Sequence, residues 1–202
     1  VINYVKKERL DQMSETGKHQ GVIGYLAAYE YATVDEILDK AREKGESPFV
    51  ILLDDIEDPH NLGAIIRTCV CAGVSGIIIP SRRNVQVNAI VEKTSAGAIN
   101  HIPIIKVNSL VNAVQKLKNS DWWVVATDAG AKDNYYDVNY NDMNFAVIMG
   151  AEHAGVSKSL LKLSDFKVKI PMLADFNSLN VSNALSAIIF ETVRQKLCKR
   201  KH

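Results

Sequence analysis

From residue 49 onward, short apolar runs alternate with segments whose apolar positions recur at helical spacing, and this alternation constrains the fold more than any other feature. The runs FVILL (49–53), GIIIP (76–80), IPIIKV (102–107), WWVVAT (122–127), FAVIMG (145–150) and FKVKI (166–170) have the length of strands. Most lack polar alternation, as expected of strands covered on both faces. Between them, Leu62, Ile65, Ile66, Cys69 and Val70 follow an i, i+3, i+4 pattern, which predicts a helix over 61–73. Further helices are expected at 88–97, 110–117 and 157–163. The longest covers 184–197, where Ala184, Leu185, Ile188, Ile189, Val193 and Leu197 share one stripe. The expected fold class is therefore α/β, with a mostly parallel six-stranded sheet and helices on both faces. Ligands in such sheets sit beyond the carboxyl ends of the strands.

Residues 1–47 lack strand patterning. Within them 34–44 has helical spacing, with Val34, Ile37, Leu38 and Ala41 on one stripe. The chain divides in this reading into an N-terminal arm or linker, 1–47, and one domain, 48–202. A hydrophobic content of 47% is ample for a core, and no run of eighteen apolar residues is present to span a membrane. The polar N-terminus shows no signal-peptide pattern. Three cysteines without paired spacing read as reduced thiols, which points to the cytoplasm. His60 and His153 lack the i, i+4 spacing of a helical metal site, so no metal is expected. A net charge of +1 does not mark a nucleic-acid binder, which leaves local basic residues such as Arg82, Arg83, Lys93 and Lys132 for such a role. Dinucleotide, Walker and nucleophile-elbow patterns do not occur.

Four strand ends carry polar loops. The first holds Asp54, Asp55, Glu57, Asp58, Pro59, His60 and Asn61, with Arg67 two turns into the next helix. The fourth holds Thr127 to Gly130, the fifth Gly150 to Gly155, and the sixth Asn177 to Ser182. Each has an ordinary structural reading. The acids form a solvated loop, Asn61 caps a helix from which Pro59 excludes His60, and Ser178 and Asn180 cap the last helix. Arg67 is harder to explain in this way. It shares a stripe with the small residues Gly63, Ala64 and Cys71, on which a guanidinium can approach a carboxylate or phosphate closely.

Taken together, three segments resemble the SpoU-type (TrmH-like) RNA ribose 2′-O-methyltransferases of the SPOUT superfamily. They are Asp58 to Ile65 with Arg67, Ile148 to Glu152 with Gly155, and Ile170 to Met172 leading to Asn177 to Ser182 and Ala184. His19-Gln20-Gly21, Lys93 to Ala98, and Glu191 with Arg194-Gln195 resemble the bacterial 23S rRNA guanosine branch more than the tRNA branch. The resemblance implies a C-terminal trefoil knot, S-adenosyl-L-methionine as cofactor, an RNA substrate and a homodimer with the active site near the subunit boundary. It implies cofactor contacts from Gly150, Ile170, Leu179, Thr127 and Met172. Catalytic roles fall on Arg67, Asn61, Glu152, Ser178 and Asn180, with Arg67 either a base or a phosphate clamp. It also implies that 1–47 is the connection to an RNA-binding domain similar to ribosomal protein L30e. The chain departs from the family pattern at His153-Ala154 and at Leu173 to Phe176, where a different loop shape is expected.

Two rival classes are consistent with parts of the pattern. A non-catalytic RNA-binding or ribosome-assembly factor would bind RNA but not the cofactor. A phosphoacceptor receiver domain would use Asp54-Asp55, but leaves the last loop without a task.

Overall fold

The computed structural model describes residues 2–14, 17–24, 29–44, 47–141, 143–152, 154–174 and 178–199. The chain forms two compact units, 1–30 and 31–202. In the first, helix α1 (Lys7–Met13) buries no residue. His19 ties this unit together: its Nδ1 accepts from the Gly21 amide at 2.9 Å and its Nε2 donates to Asp11 at 2.9 Å.

In the second unit, α2 (Val34–Lys44) precedes the alternating region. Strands β1 (Phe49–Asp54), β2 (Gly76–Pro80) and β3 (Ile104–Val107) alternate with α3 (Pro59–Cys71) and α4 (Ala89–Ser95). There follow α5 (Leu110–Lys118), β4 (Trp123–Thr127), β5 (Asp133–Asn134), β6 (Phe145–Gly150), α6 (Lys158–Leu163), β7 (Phe166–Lys169) and α7 (Val181–Lys199). The strands form one sheet in the order β3-β2-β1-β6-β4-β7-β5, and every neighbouring pair is parallel. The sheet thus has seven strands where six were expected. The seventh, β5, is two polar residues at the edge and carries no apolar signal.

Strand β6 is buried along its whole length and pairs with β1 and β4. Alternation of side chains divides these strands between two faces. Val50, Leu52, Val124, Ala126, Ala146 and Ile148 pack with Ile37 and Leu38 of α2, Val114 and Leu117 of α5, and Leu160 of α6. Each of the Val, Leu and Ile side chains among these contributes about 1.5–3 kcal/mol on burial. Helix α2, read from sequence as part of the arm, therefore packs in the core of this unit. Helix α7 packs on α3 and against β6.

Helix α3 starts earlier than its apolar pattern suggests. Its N-cap is Asp58, whose carboxylate accepts from the His60 amide at 2.9 Å, and Pro59 occupies the first turn. Proline suits that position because the amide it lacks would have no helical partner. Asn61 is therefore inside the helix, not its cap, and so is His60. Gly63 lets α4 approach α3: a Cβ there would lie 2.6 Å from Thr94 Cβ. Helix α7 likewise begins at Val181 and not at Ala184. Near its end, Gln195 accepts from the Tyr140 amide at 2.9 Å and donates to the Val138 carbonyl at 3.0 Å. Gln195 also donates to Glu191, whose carboxyl is held below the ordinary glutamate range, first by the Arg194 guanidinium and also by Gln195. This lock fastens the segment that leads into β6. No helix among the described residues is long and apolar enough to cross a membrane.

Candidate active site

The sheet order doubles back at β1 and β6, which pair in register so that Asp54 lies opposite Gly150. Such a switch point leaves a crevice at the strand ends. The acids after β1 build it and are not a loosely solvated loop. Asp54 accepts from the Ser157 amide at 2.8 Å, which pins the far end of the loop after β6. Asp58 caps α3, and Asn84 accepts from the Ile56 amide at 2.7 Å.

The loop after β6 turns tightly: the Gly155 amide donates to the Ala151 carbonyl at 2.9 Å, with Gly155 at φ +65°. The turn closes directly over Gly150. A Cβ at Gly150 would lie 2.0 Å from the Gly155 carbonyl carbon and 2.2 Å from the Val156 nitrogen. Both are backbone atoms and cannot swing aside. We expect Gly150→Ala to cost about 3 kcal/mol or more of folding stability, read by denaturant unfolding.

That turn presents Glu152 to two other elements. Glu152 Oε1 accepts from Asn180 Nδ2 at 2.8 Å, from Asn61 Nδ2 at 3.3 Å and from the Val181 amide at 3.5 Å. Asn180 Nδ2 also donates to Asn61 Oδ1 at 2.9 Å. Asn180 is in addition the cap of α7, because its Oδ1 accepts from the Ser182 amide at 3.0 Å and from the Ser182 hydroxyl at 2.6 Å. One amide side chain thus fixes the start of α7 to the first turn of α3 and to the β6 loop. Hydrogen bonds to a charged group contribute about 1.5–3 kcal/mol each, and the exposure of this cluster favours the low end.

Beside the cluster lies a cavity of about 710 Å³. Its lining includes all five residues assigned to a cofactor, Thr127, Gly150, Ile170, Met172 and Leu179, together with Glu152 and Ser178. Thr127 lines it with its hydroxyl committed elsewhere, donating to the Ile148 carbonyl at 3.1 Å. Asp128, Met149, Val156, Lys169 and Ile188 also line the wall, without having been assigned to the cofactor from sequence. Asp128 could have been found as the first polar residue after β4. Its carboxylate accepts from the Gly130 amide at 2.9 Å, an Asx turn that shapes the rim. The apolar ones carry no signal that separates them from core.

Arg67 stands apart. It is exposed, forms no hydrogen bond or ion pair among the described residues, and does not line the cavity. It lies six residues beyond Asn61, about 9 Å further along α3. The departures expected at His153 and at Asp175 and Phe176 fall outside the described residues, as does Asn177 of the last loop; Ala154, Leu173 and Ala174 are exposed. Among the described residues no cluster of three or more His, Cys, Asp or Glu could hold a metal.

Residues 48–190 match the SpoU rRNA Methylase family, and residues 1–32 match the RNA 2′-O ribose methyltransferase substrate binding family. The chain belongs to the SpoU rRNA methylase family. It is 43% identical over 196 residues to a protein of Bacillus subtilis named as a TrmH family tRNA/rRNA methyltransferase, YacO, a match covering 97% of this chain and 78% of the relative. Among solved structures, the SpoU methyltransferase AviRb of Streptomyces viridochromogenes, in complex with the cofactor AdoMet, aligns with a TM-score of 0.75 at 26% identity. That match covers 84% of this chain but 66% of AviRb, so the chain spans just under two thirds of that neighbour. The TrmH/SpoU tRNA modifying enzyme of A. aeolicus aligns with a TM-score of 0.70 at 29% identity, covering 82% of this chain and 85% of that one.

Proposed function

We propose that this protein transfers a methyl group from S-adenosylmethionine to a ribose 2′-hydroxyl of structured RNA, with a guanosine of 23S rRNA as its target. The observation that carries this reading is the Asn61–Glu152–Asn180 cluster on the rim of the cavity lined by Thr127, Gly150, Ile170, Met172 and Leu179. A volume of about 710 Å³ lies within the usual range for small-molecule sites. Apolar Ile170, Leu179 and Met149 beside polar Asp128, Lys169 and Glu152 suit a nucleoside with a charged tail. When bound, the cofactor supplies an electrophilic methyl group.

The protein's share is positioning. Ile170, Leu179, Met172, Thr127 and Gly150 would hold the cofactor. Glu152 orients the amides of Asn61 and Asn180 toward the ribose, and Ser178 shapes the wall between ribose and cofactor. An exposed guanidinium offers hydrogen-bond donors and no acceptor, which favours Arg67 as a clamp on the substrate phosphate over Arg67 as a base. The C-terminal part of the domain is knotted as a trefoil, a reading that rests on the family resemblance. The protein works as a homodimer with this site near the subunit boundary. Half-exposed Phe190 and Leu197 on α7 support a partner there, since apolar side chains left in water are what an interface covers. Residues 1–32 belong to RNA recognition, a reading supported by the substrate-binding match over them. The enzyme acts in the cytoplasm, where its RNA is made. The name of the A. aeolicus neighbour favours tRNA as the second candidate substrate.

Calorimetric titration tests this reading against the non-catalytic alternative. One equivalent of S-adenosylmethionine bound per chain is expected. RNA binding with no cofactor binding would sink the enzymatic reading.

A further inference from the structure

We infer that His60 is a second RNA contact, oriented by Thr94, and that it holds the backbone of a nucleotide adjoining the methylated one. The inference rests on the proposed methyltransferase reading and deepens it. In the first turn of α3, neighbouring side chains point to different partners. Asn61 reaches Glu152 and Asn180, whereas the His60 ring meets α4, with Nδ1 3.4 Å from the Thr94 hydroxyl. A second observation fixes that meeting point. Gly63 brings α4 so close that a side chain there would strike Thr94, so the hydroxyl is set in place by the packing of two helices.

The Thr94 hydroxyl can donate to Nδ1, and in that tautomer the Nε2–H is the ring's outward donor. That nitrogen has no partner among the described residues, and His60 is exposed. The ring is therefore aimed and left with a free donor, one residue from the cluster that would face the ribose. The nearest carboxylate in sequence, Asp58, is engaged as the cap of α3. Arg67 lies seven residues from His60, two turns on and on the same side of the helix. Gly63 and Ala64 lie between them. The two donors thus flank the point where α4 crosses, and Lys93 is exposed on α4 beside Thr94. A run of RNA backbone laid over this crossing meets His60 at one end and Arg67 at the other.

The experiment uses the full chain, labelled S-adenosylmethionine and unmodified transcripts of 23S rRNA and of the tRNA set. His60→Ala is expected to raise the KM for the methylated transcript about tenfold, the loss of one hydrogen bond to a charged group, with the effect in KM and not in kcat. Cofactor affinity by calorimetry stays at the wild-type value. His60→Gln, whose amide offers a donor near the Nε2 position, recovers most of the loss. Thr94→Val shows an intermediate KM and Thr94→Ser restores it. An unchanged KM in His60→Ala, or a KM that rises only with a fall in cofactor affinity, overturns the inference while leaving the methyltransferase reading intact. If wild-type protein methylates neither transcript class, both fall.

Discussion

Replacing Arg67 with alanine is expected to slow methyl transfer by about 10²-fold, the cost of misplacing the ribose once its neighbouring phosphate is no longer clamped, while S-adenosylmethionine affinity is unchanged. The second half follows from position. Arg67 is exposed, lies about 9 Å along α3 from Asn61, and does not line the cavity. Nothing it touches would hold the cofactor. The first half follows from its freedom: a guanidinium without a partner among the described residues, on a stripe of small residues, is available to the RNA. Single-turnover methylation measures the rate and calorimetry the affinity. Transfer at a near wild-type rate would make Arg67 a bystander. A loss of cofactor affinity equal to the loss of rate would put it in the wrong place.

The opposite signature is expected for Glu152. Its carboxylate is the shared acceptor for Asn61, Asn180 and the first amide of α7, and it also lines the cavity. Glu152→Ala should therefore reduce both cofactor affinity and rate, with kcat/KM falling by about 10²-fold as preorganised donors are released. Asn180→Ala should cost about 1 kcal/mol of stability as well, because Asn180 also caps α7. Because the two residues are in direct contact, the double variant should be less impaired than the sum of the singles, by about 0.5–3 kcal/mol. Strict additivity in that cycle would mean the hydrogen bonds at the rim do not act together.

These residues show what the sequence could and could not reveal. The strands were legible because burial on both faces leaves runs such as FVILL and FAVIMG without polar interruption. Strand β5 was not, because Asp133 and Asn134 pair only at an edge and bury nothing that a pattern would register. Helix α1 escaped for the same reason, as it has no buried face. Helix starts were misplaced where a polar residue held the first turn. Val181, Ser182 and Asn183 precede the regular stripe of α7, and Pro59 and His60 precede that of α3. The five residues that the family resemblance assigns to a cofactor line one cavity. Local pattern alone suggested only caps and turns there. The hydrogen bonds joining Asn61, Glu152 and Asn180 span 28 to 119 residues of sequence. No periodicity carries contacts of that range. Arg67 is the opposite case, since its distance from Asn61 follows from six residues of helical rise along α3.

The most direct test is to incubate the protein with S-adenosylmethionine and unmodified 23S rRNA and tRNA transcripts, digest the RNA to nucleosides, and identify the product by mass spectrometry. The account predicts a 2′-O-methylated nucleoside, guanosine first, formed at one position and lost in Arg67→Ala. A base-methylated nucleoside, or bound RNA with no methyl transferred, would contradict it.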